Sequence, residues 1–544
     1  MSATAIHAPA GIEEAEAPAG GLHADGLDRA GRAVLLASIV VVALCGIVYE
    51  LIIGSISAYL LGNSVYQFSI TIGVFMFAMG IGSWLSQHVT ERLVRTFIVV
   101  EIALAVIGGI SSIALFMTFP FSPGFYRTVM LGFILVIGTL VGLEIPLLTR
   151  ILADGGGVRR SIASVMSLDY IGALVGSVAF PLALLPSLGL VRASFAIGLL
   201  NIGVAIATVA MLRGRIGDTR GLMGVSLAVL AALCVLVVSG SRLNAFAQQH
   251  LYFDDVVWQG QSPYQQLTVT RNWQGRDLRL FIDGHLQFSQ SDEHRYHEAL
   301  VHPLMGYPGR AARILVLGGG DGLAVREILK HEGVETVDVV DLDPFITDLA
   351  RDFAPLVALN ADSFADPRVT VHNADAFVFV RDVETPYDRV VIDMPDPHDA
   401  AIAKLYSVEF YAMIGRAMTD EAVVVTQATS PYFARRTYWA IGDTMGAAFA
   451  ETRSFQVAIP SFGVWGFHLA AKTPGALQAL PRFDVPTRYW SDDVWTAATV
   501  FPRDIGPMAP VTPNSIFEPG LYQLYLRDMK GGLGPARAPG EGGA

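Results

Sequence analysis

Hydrophobic residues are spread unevenly along the chain. Up to about residue 240 they gather into runs of about 20 residues or more with at most one charged residue, each enough to cross a hydrocarbon core of roughly 30 Å. The runs predict seven helices, over Ala33–Gly54, Tyr66–Ser86, Thr96–Phe119, Val129–Leu148, Met166–Leu188, Ser194–Leu212 and Leu222–Ser239. Soluble helices are rarely apolar all round for such lengths, so residues 33–240 read as a transmembrane α-helical bundle in contact with lipid. From Tyr252 the rhythm shortens. "QLTVTRNWQGRDLRLFIDG" alternates apolar and polar positions between turn residues, predicting a small antiparallel β subdomain over 251–309. Beyond Arg310, strand-like runs at Ile314–Leu317, Val337–Val340, Val369–His372, Arg389–Ile392 and Ala422–Gln427 alternate with helical stretches such as Leu323–His331 and Ser407–Met418. That alternation predicts a doubly wound, mostly parallel α/β sheet over 310–505.

The ends read differently. Residues 1–32 carry Ala, Gly and several acids without the basic start and short apolar core of a signal peptide, and are expected to form a disordered cytoplasmic tail. Residues 506–544 form a C-terminal extension whose low-complexity end, "KGGLGPARAPGEGGA", is expected to be disordered.

Composition narrows the function. A hydrophobic share of 52% agrees with lipid contact, and a net charge of −12 argues against nucleic acid, whose phosphates need a basic footprint. An acidic protein suits a cationic substrate, although a solvated acidic surface is the commoner cause. Cys45 and Cys234 both lie within predicted spans, so the redox compartment is unreadable. The helical half has no lysine. Arg29, Arg32, Arg92, Arg95, Arg150, Arg159, Arg160, Arg213, Arg215 and Arg220 mark alternate ends of the spans, which predicts a cytoplasmic N-terminus. Glu50, Glu101, Glu144 and Asp169 fall inside spans, where carboxyls are costly. Interhelical hydrogen bonding by the protonated acids is the expected role, and a cation or proton path is the alternative.

The chemistry concentrates in "ILVLGGGDGLAVREILKHEGVETVDVVDLDP", Ile314–Pro344. Gly318, Gly319, Gly320 and Gly322 follow an apolar strand and precede a helix, so the backbone there can approach a ligand closely. Asp341 ends the next strand about 20 residues on, where an acid can accept from ribose hydroxyls; together these features suggest an adenosine-containing ligand. Asp321 argues against a pyrophosphate, because its carboxylate takes the place a helix N-terminus would offer to an anion. A loop carrying that charge favours a positively charged ligand, such as a sulfonium with an ammonium tail and no carboxylate. The plainer alternative is that Asp321 caps the helix.

The same stretch closely resembles the signature of the spermidine synthase family, the polyamine aminopropyltransferases. "SPYQQLTV", "LFIDGHLQFSQSDEHRYHEALVHPL", "HNADAF", "YDRVVIDMPDP", "LYSVEFY" and "TRYWSDDVWTAATVFP" agree in the family's order over roughly Tyr252–Arg503. The resemblance implies a Rossmann-like, class I methyltransferase-like catalytic domain on a membrane-integrated chain. It also implies aminopropyl transfer from decarboxylated S-adenosylmethionine to putrescine, giving spermidine and methylthioadenosine, with no prosthetic group and a homodimer or higher homo-oligomer. By the same resemblance Gly318, Gly320, Gly322, Asp341, Asp375 and Ala376 hold the donor's adenosine, and Gln265 contacts the thioadenosine. Asp321 would take the aminopropyl ammonium, Tyr296, His297 and Asp396 the polyamine, Gln287 would support the site, and Asp393 would be the catalytic proton acceptor.

Three positions depart from the family's pattern: Asp341 stands for the usual glutamate, Phe462 in "IPSFGVWGF" lies near a usual tyrosine, and Thr429 lies where some members place an acid. The last two bear on the acceptor amine. His294, His297 and Glu298 lack a matching distal set of ligands, so no metal is expected. Two other functions compete: an amine N-methyltransferase on the same fold, disfavoured by Asp321, and a polyamine transporter whose soluble domain only senses. Because the donor is made in the cytoplasm, the catalytic domain is expected there, on a multi-pass protein of the cell membrane. The odd number of spans and the arginine pattern oppose that side.

Overall fold

The computed structural model describes residues 29–62, 64–153, 158–213, 216 and 219–530. The first half is a bundle of α1 (Arg29–Leu61), α2 (Ser64–Leu85), α3 (Leu93–Phe121), α4 (Pro123–Ala153), α5 (Val158–Ala179), α6 (Leu185–Met211) and α7 (Thr219–Gln249). Six of the predicted runs lie within one of these helices to within a residue, whereas Met166–Leu188 runs past the end of α5 and into the start of α6. Among the described residues six helical stretches are long and apolar enough to cross a membrane, and the fifth, Ser161–Met211, has 51 residues. At 1.5 Å per residue it would extend about 75 Å if straight. It is broken instead at Gly189, whose φ of 68° and ψ of 176° leave the helical region.

The chain reverses there. Gly172 meets Val40 and Gly176 meets Leu44, so α5 runs parallel to α1; Ser194 meets Gly108 and Gly198 meets Ala105, so α6 runs antiparallel to α3. The seven helices therefore alternate in direction. Arg29, Arg92, Arg150, Arg160 and Arg220 fall at one end of the bundle, whereas α7 leads into the second half at the other, where Tyr59 and Tyr252 share a hydroxyl hydrogen bond of 3.3 Å. Two boundaries move from expectation: Arg29–Arg32 belong to α1 rather than to a tail, and α7 continues to Gln249. The rest of the expected tail (1–28), Arg215 and residues 531–544 lie outside the described residues.

The second half has two sheets. β1 (Asp255–Gln261), β2 (Gln266–Arg271), β3 (Leu278–Ile282) and β4 (His285–Ser289) form an antiparallel meander. α8 (Glu293–Gly306), expected within that subdomain, packs instead on the larger sheet, because His302, Leu300 and Leu304 are fully buried there. The larger sheet contains β5 (Arg313–Gly318), β6 (Thr336–Asp341), β7 (Val369–Asn373), β8 (Tyr387–Asp393), β9 (Met418–Gln427), β10 (Glu451–Ile459) and β11 (Gly463–Ala471), in the order β10-β11-β9-β8-β5-β6-β7. Its first five strands are parallel, as expected from the alternation; the antiparallel β10–β11 hairpin adds an edge that the pattern did not suggest.

Alternation within β5 explains its continuous apolar reading. Ile314 and Val316 enter the core on one face of the sheet, and Leu315 and Leu317 enter the core on the other. α9 (Leu323–Ile328) follows β5 directly. The chain leaves β5 toward β6 on one side and β8 lies on the other, so the strand order switches at β5, and a crevice opens at the carboxyl ends of these strands.

Candidate active site

The glycine loop is shaped by its neighbours. Gly318 has φ of 82°, and a Cβ there would lie 2.1 Å from the Asp393 carbonyl oxygen, so β5 and β8 can meet at this register only with glycine. A Cβ on Gly320 would lie 2.5 Å from Asp341 Oδ2. The Gly320 N–H donates to that oxygen at 3.1 Å, and the Asp343 N–H donates to Asp341 Oδ1 at 3.0 Å. Each Asp341 oxygen thus keeps one lone-pair direction open. Burial, with help from the charge of Asp343, pushes the Asp341 carboxyl up to about 6.

Asp321 caps a helix and keeps one oxygen free. Its Oδ1 accepts from the Leu323 N–H at 2.9 Å, which caps α9, whereas its other oxygen accepts no hydrogen bond among the described residues. Burial raises its pKa, partly countered by the charge of His297. His297 in turn bonds through Nδ1 to Glu293 Oε2 at 2.9 Å, and Arg326 ties the same carboxylate at 2.9 and 3.0 Å. Burial opposes protonation of His297, but the Glu293 hydrogen bond and charge prevail and its pKa is raised. Glu293 and Arg326 were not anticipated; Glu293 sits in the "DEHRYHE" segment, one helical turn before His297, and that spacing was the available signal.

β8 ends in Asp393, and the turn that follows supplies Asp396. Tyr296, on α8, donates to Asp393 Oδ1 at 2.6 Å; Asp393 Oδ2 faces the glycine loop, 3.5 Å from where a Cβ of Gly319 would stand. Burial pushes Asp393 up to about 6, with His297 lowering it and Asp321 raising it. Asp396 accepts from the Thr429 hydroxyl at 3.1 Å, the Tyr525 hydroxyl at 3.0 Å and the Gln427 amide at 3.4 Å. Thr429 adopts φ of 62°, which is strained for a β-branched residue and is held by its N–H bond to Gln427 Oε1 at 2.9 Å. Phe462 presents its ring edge-on to Tyr296, centroids 6.2 Å apart.

Tyr525 comes from a helix in the C-terminal extension, Leu521–Lys530, anchored where the Asp528 carboxylate accepts from Arg436 and Thr437. Nothing in the local sequence pointed to it, since its approach to Asp396 spans 129 residues of chain.

The remaining expected residues divide. Gln265 lies in the turn between β1 and β2, which Ser262 fastens to Asp343 beyond β6 through a 2.6 Å hydrogen bond, bringing that turn over the crevice. Asp375 caps the short helix Ala376–Arg381, accepting from the Phe377 N–H at 2.8 Å, and binds Lys404 at 2.9 Å. Burial opposes ionisation of Asp375, yet Lys404 holds its pKa below the usual range. Ala376 is buried beside it. Gln287, expected to support the site, donates from its amide to the His285 carbonyl at 3.1 Å, on its own strand. Among the described residues no group of three or more His, Cys, Asp and Glu could hold a metal ion; Glu298 caps the backbone at Arg488–Trp490, and the buried Nδ1 of His294 has no hydrogen-bond partner.

The spermine/spermidine synthase domain family matches residues 293–478. Polyamine aminopropyltransferase 2 of Ralstonia nicotianae is 43% identical over 509 residues, covering 92% of this chain and 99% of that protein. Polyamine aminopropyltransferase 1 of Streptomyces coelicolor is 43% identical over 515 residues, covering 93% and 96%. A solved structure of spermidine synthase from Thermotoga maritima aligns with 46% of this chain and 86% of its own, at 25% identity and a TM-score of 0.42. The chain belongs to the polyamine aminopropyltransferase family, and the reaction it catalyses is aminopropyl transfer. The relatives match along more than nine-tenths of the chain, so the helical half is shared with them.

Proposed function

We propose that the protein transfers the aminopropyl group of decarboxylated S-adenosylmethionine to putrescine, forming spermidine and methylthioadenosine, while its seven helices hold it in the cell membrane. The observation that carries this reading is the crevice's charge: Asp321, Asp341, Asp393 and Asp396 converge there, and His297 is the cation whose charge acts on both Asp321 and Asp393. Such a site suits a sulfonium donor and an ammonium acceptor.

In this reading the glycine loop, Asp341, Asp375, Ala376 and Gln265 hold the donor, and the open oxygen of Asp321 receives its ammonium. Asp396, Tyr296 and His297 border the acceptor. The acceptor amine attacks the carbon next to sulfur and can do so only unprotonated. An alkylammonium titrates near 10.4 and an ordinary aspartate near 3.9. Raising Asp393 to about 6 narrows that gap, and the donor's positive charge narrows it further. Asp393 then takes the proton through Oδ2, the oxygen that Tyr296 leaves open.

Incubating the purified protein with putrescine and each sulfonium donor in turn tests the proposal. Spermidine and methylthioadenosine are expected with the decarboxylated donor alone. A methylated amine formed from ordinary S-adenosylmethionine would establish the N-methyltransferase reading instead, and binding of putrescine without any product would favour the sensing domain of a transporter.

Tyr525 is expected to help set the acceptor. Tyr525→Phe removes a hydrogen bond to a charged group and should raise the KM for putrescine about tenfold while leaving the donor's KM unchanged. A change in stability alone, with both KM values intact, would reduce Tyr525 to a structural tie.

Membrane side is governed by opposing constraints. The arginine-rich end of the bundle lies opposite the catalytic half, which favours an outer position, whereas the donor is made inside and does not cross a bilayer unaided. We place the catalytic half in the cytoplasm on donor supply. A reporter fused after Lys530 is expected to give a cytoplasmic signal, and activity on the outer face overturns this placement.

A further inference from the structure

Two carboxyls inside the helical bundle have no part in the chemistry described above. Glu101 on α3 and Glu144 on α4 are both fully buried and bond to each other across the two helices, as expected, and none of their four oxygens has a further partner among the described residues. Asn201 on α6 is 1% exposed, and both its amide nitrogen and its amide oxygen are unpartnered.

Helical register brings the three together. Phe119 packs edge-on against Tyr126 at the turn joining α3 to α4, with ring centroids 5.6 Å apart. Glu101 lies 18 residues before Phe119 and Glu144 lies 18 residues after Tyr126. Eighteen residues make about five helical turns, so both carboxyls return to the same facing stripe, near enough for each to act electrostatically on the other. On the other side of α3, the Ser194 hydroxyl donates to the Gly108 carbonyl at 3.0 Å. Glu101 lies seven residues before Gly108 and Asn201 seven after Ser194, about two turns in antiparallel helices, which sets Asn201 opposite Glu101. Tyr49 closes the cluster from α1, its hydroxyl on the Leu104 carbonyl one turn from Glu101 at 3.4 Å.

Two adjacent carboxyls in so dry a setting do not both ionise without a counter-charge, and like charges at close range share a proton. Once one of the pair is ionised, the carboxylate, the remaining carboxylic acid and the Asn201 amide oxygen form a set of hard oxygen donors with one negative charge. A single positive charge of small radius balances it. We propose that Glu101, Glu144 and Asn201 form a binding site in the helical bundle for a dehydrated monovalent cation, either an alkali-metal ion or the ammonium end of an alkylamine. The site is separate from the catalytic crevice and does not depend on the reading of that crevice.

Equilibrium binding to the full-length protein in detergent tests it, with rubidium-86 and radiolabelled putrescine as separate probes, on wild type, Glu101→Gln, Glu144→Gln and Asn201→Ala. Each variant is first checked for aminopropyl transfer, which should equal wild type because the cluster lies outside the catalytic half. The expected result is one bound cation per chain fewer in both glutamine variants, and at least tenfold weaker binding of that cation in Asn201→Ala. Loss of a rubidium site identifies an alkali ion. Loss of one putrescine site, with the catalytic site still counted in every variant, identifies an alkylammonium. Equal stoichiometry and affinity for both probes in all four active proteins overturns the proposal and leaves the carboxyls as a hydrogen-bonded pair between helices. Should one glutamine variant lose transfer through misfolding, the other and Asn201→Ala give the same readout.

Discussion

Asp393→Asn should lower turnover by about two to four orders of magnitude while leaving donor binding within a few-fold, because the amide keeps the shape and the Tyr296 contact but cannot take the acceptor's proton. The same substitution should stabilise the ligand-free protein. Burial raises the carboxyl from the usual 3.8 to about 6, so the folded state holds this proton more tightly than the unfolded chain does. The resulting stability is complete below about pH 4 and is lost as pH rises through about 6. At pH 7.5 the wild type therefore carries an ionised, enclosed carboxylate, and its replacement should gain up to about 3 kcal/mol, whereas at pH 4.5 the gain should fall to about 1 kcal/mol. Thermal unfolding at the two pH values checks the stability, and kcat/KM across pH checks the base: wild-type activity should fall below about pH 6. Retained turnover in the variant would remove Asp393 from the role of proton acceptor.

For Asp321→Asn the expected effect is on choice of donor. The amide oxygen can still cap Leu323, so the loop should keep its form. Loss of the charge should weaken decarboxylated S-adenosylmethionine by about 1.5 to 3 kcal/mol, the worth of a charge-assisted hydrogen bond, and should weaken methylthioadenosine far less. Ordinary S-adenosylmethionine, whose carboxylate the wild type repels, should lose less or gain. Calorimetric titration of the three ligands decides, and an equal loss for all three would leave Asp321 as a helix cap alone. Because Asp321 raises the Asp393 pKa, the variant's pH profile should also shift its acidic limb downward.

Much of this protein was legible in its sequence because its strongest signals are local. An apolar run long enough to cross a membrane, a strand that breaks into glycines, and an acid at the end of the next strand each follow from neighbours in the chain. Hence the number of helices, the five parallel strands and the loop Gly318–Gly322 were foreseen, although several helix ends lie well away from the ends of the apolar runs. The motif residues Asp321, Tyr296, His297, Asp341, Asp393 and Asp396 were named for the same reason, and the fold gathers them at the carboxyl ends of β5, β6 and β8.

What the sequence could not convey depends on distance along the chain. Tyr525 reaches Asp396, Arg326 reaches Glu293 from the next helix, and Lys404 takes Asp375, each through contacts that no periodicity encodes. Gln287 shares a motif with other expected site residues, and only the structure shows its amide turned back onto its own strand. The β10–β11 hairpin was hidden because β11 is buried along most of its length and so lacks the alternation that marks a half-exposed strand. Local pattern determined which elements form and which chemistry they carry; only the tertiary structure decided which side chains meet, because burial and hydrogen bonding are properties of neighbours in space.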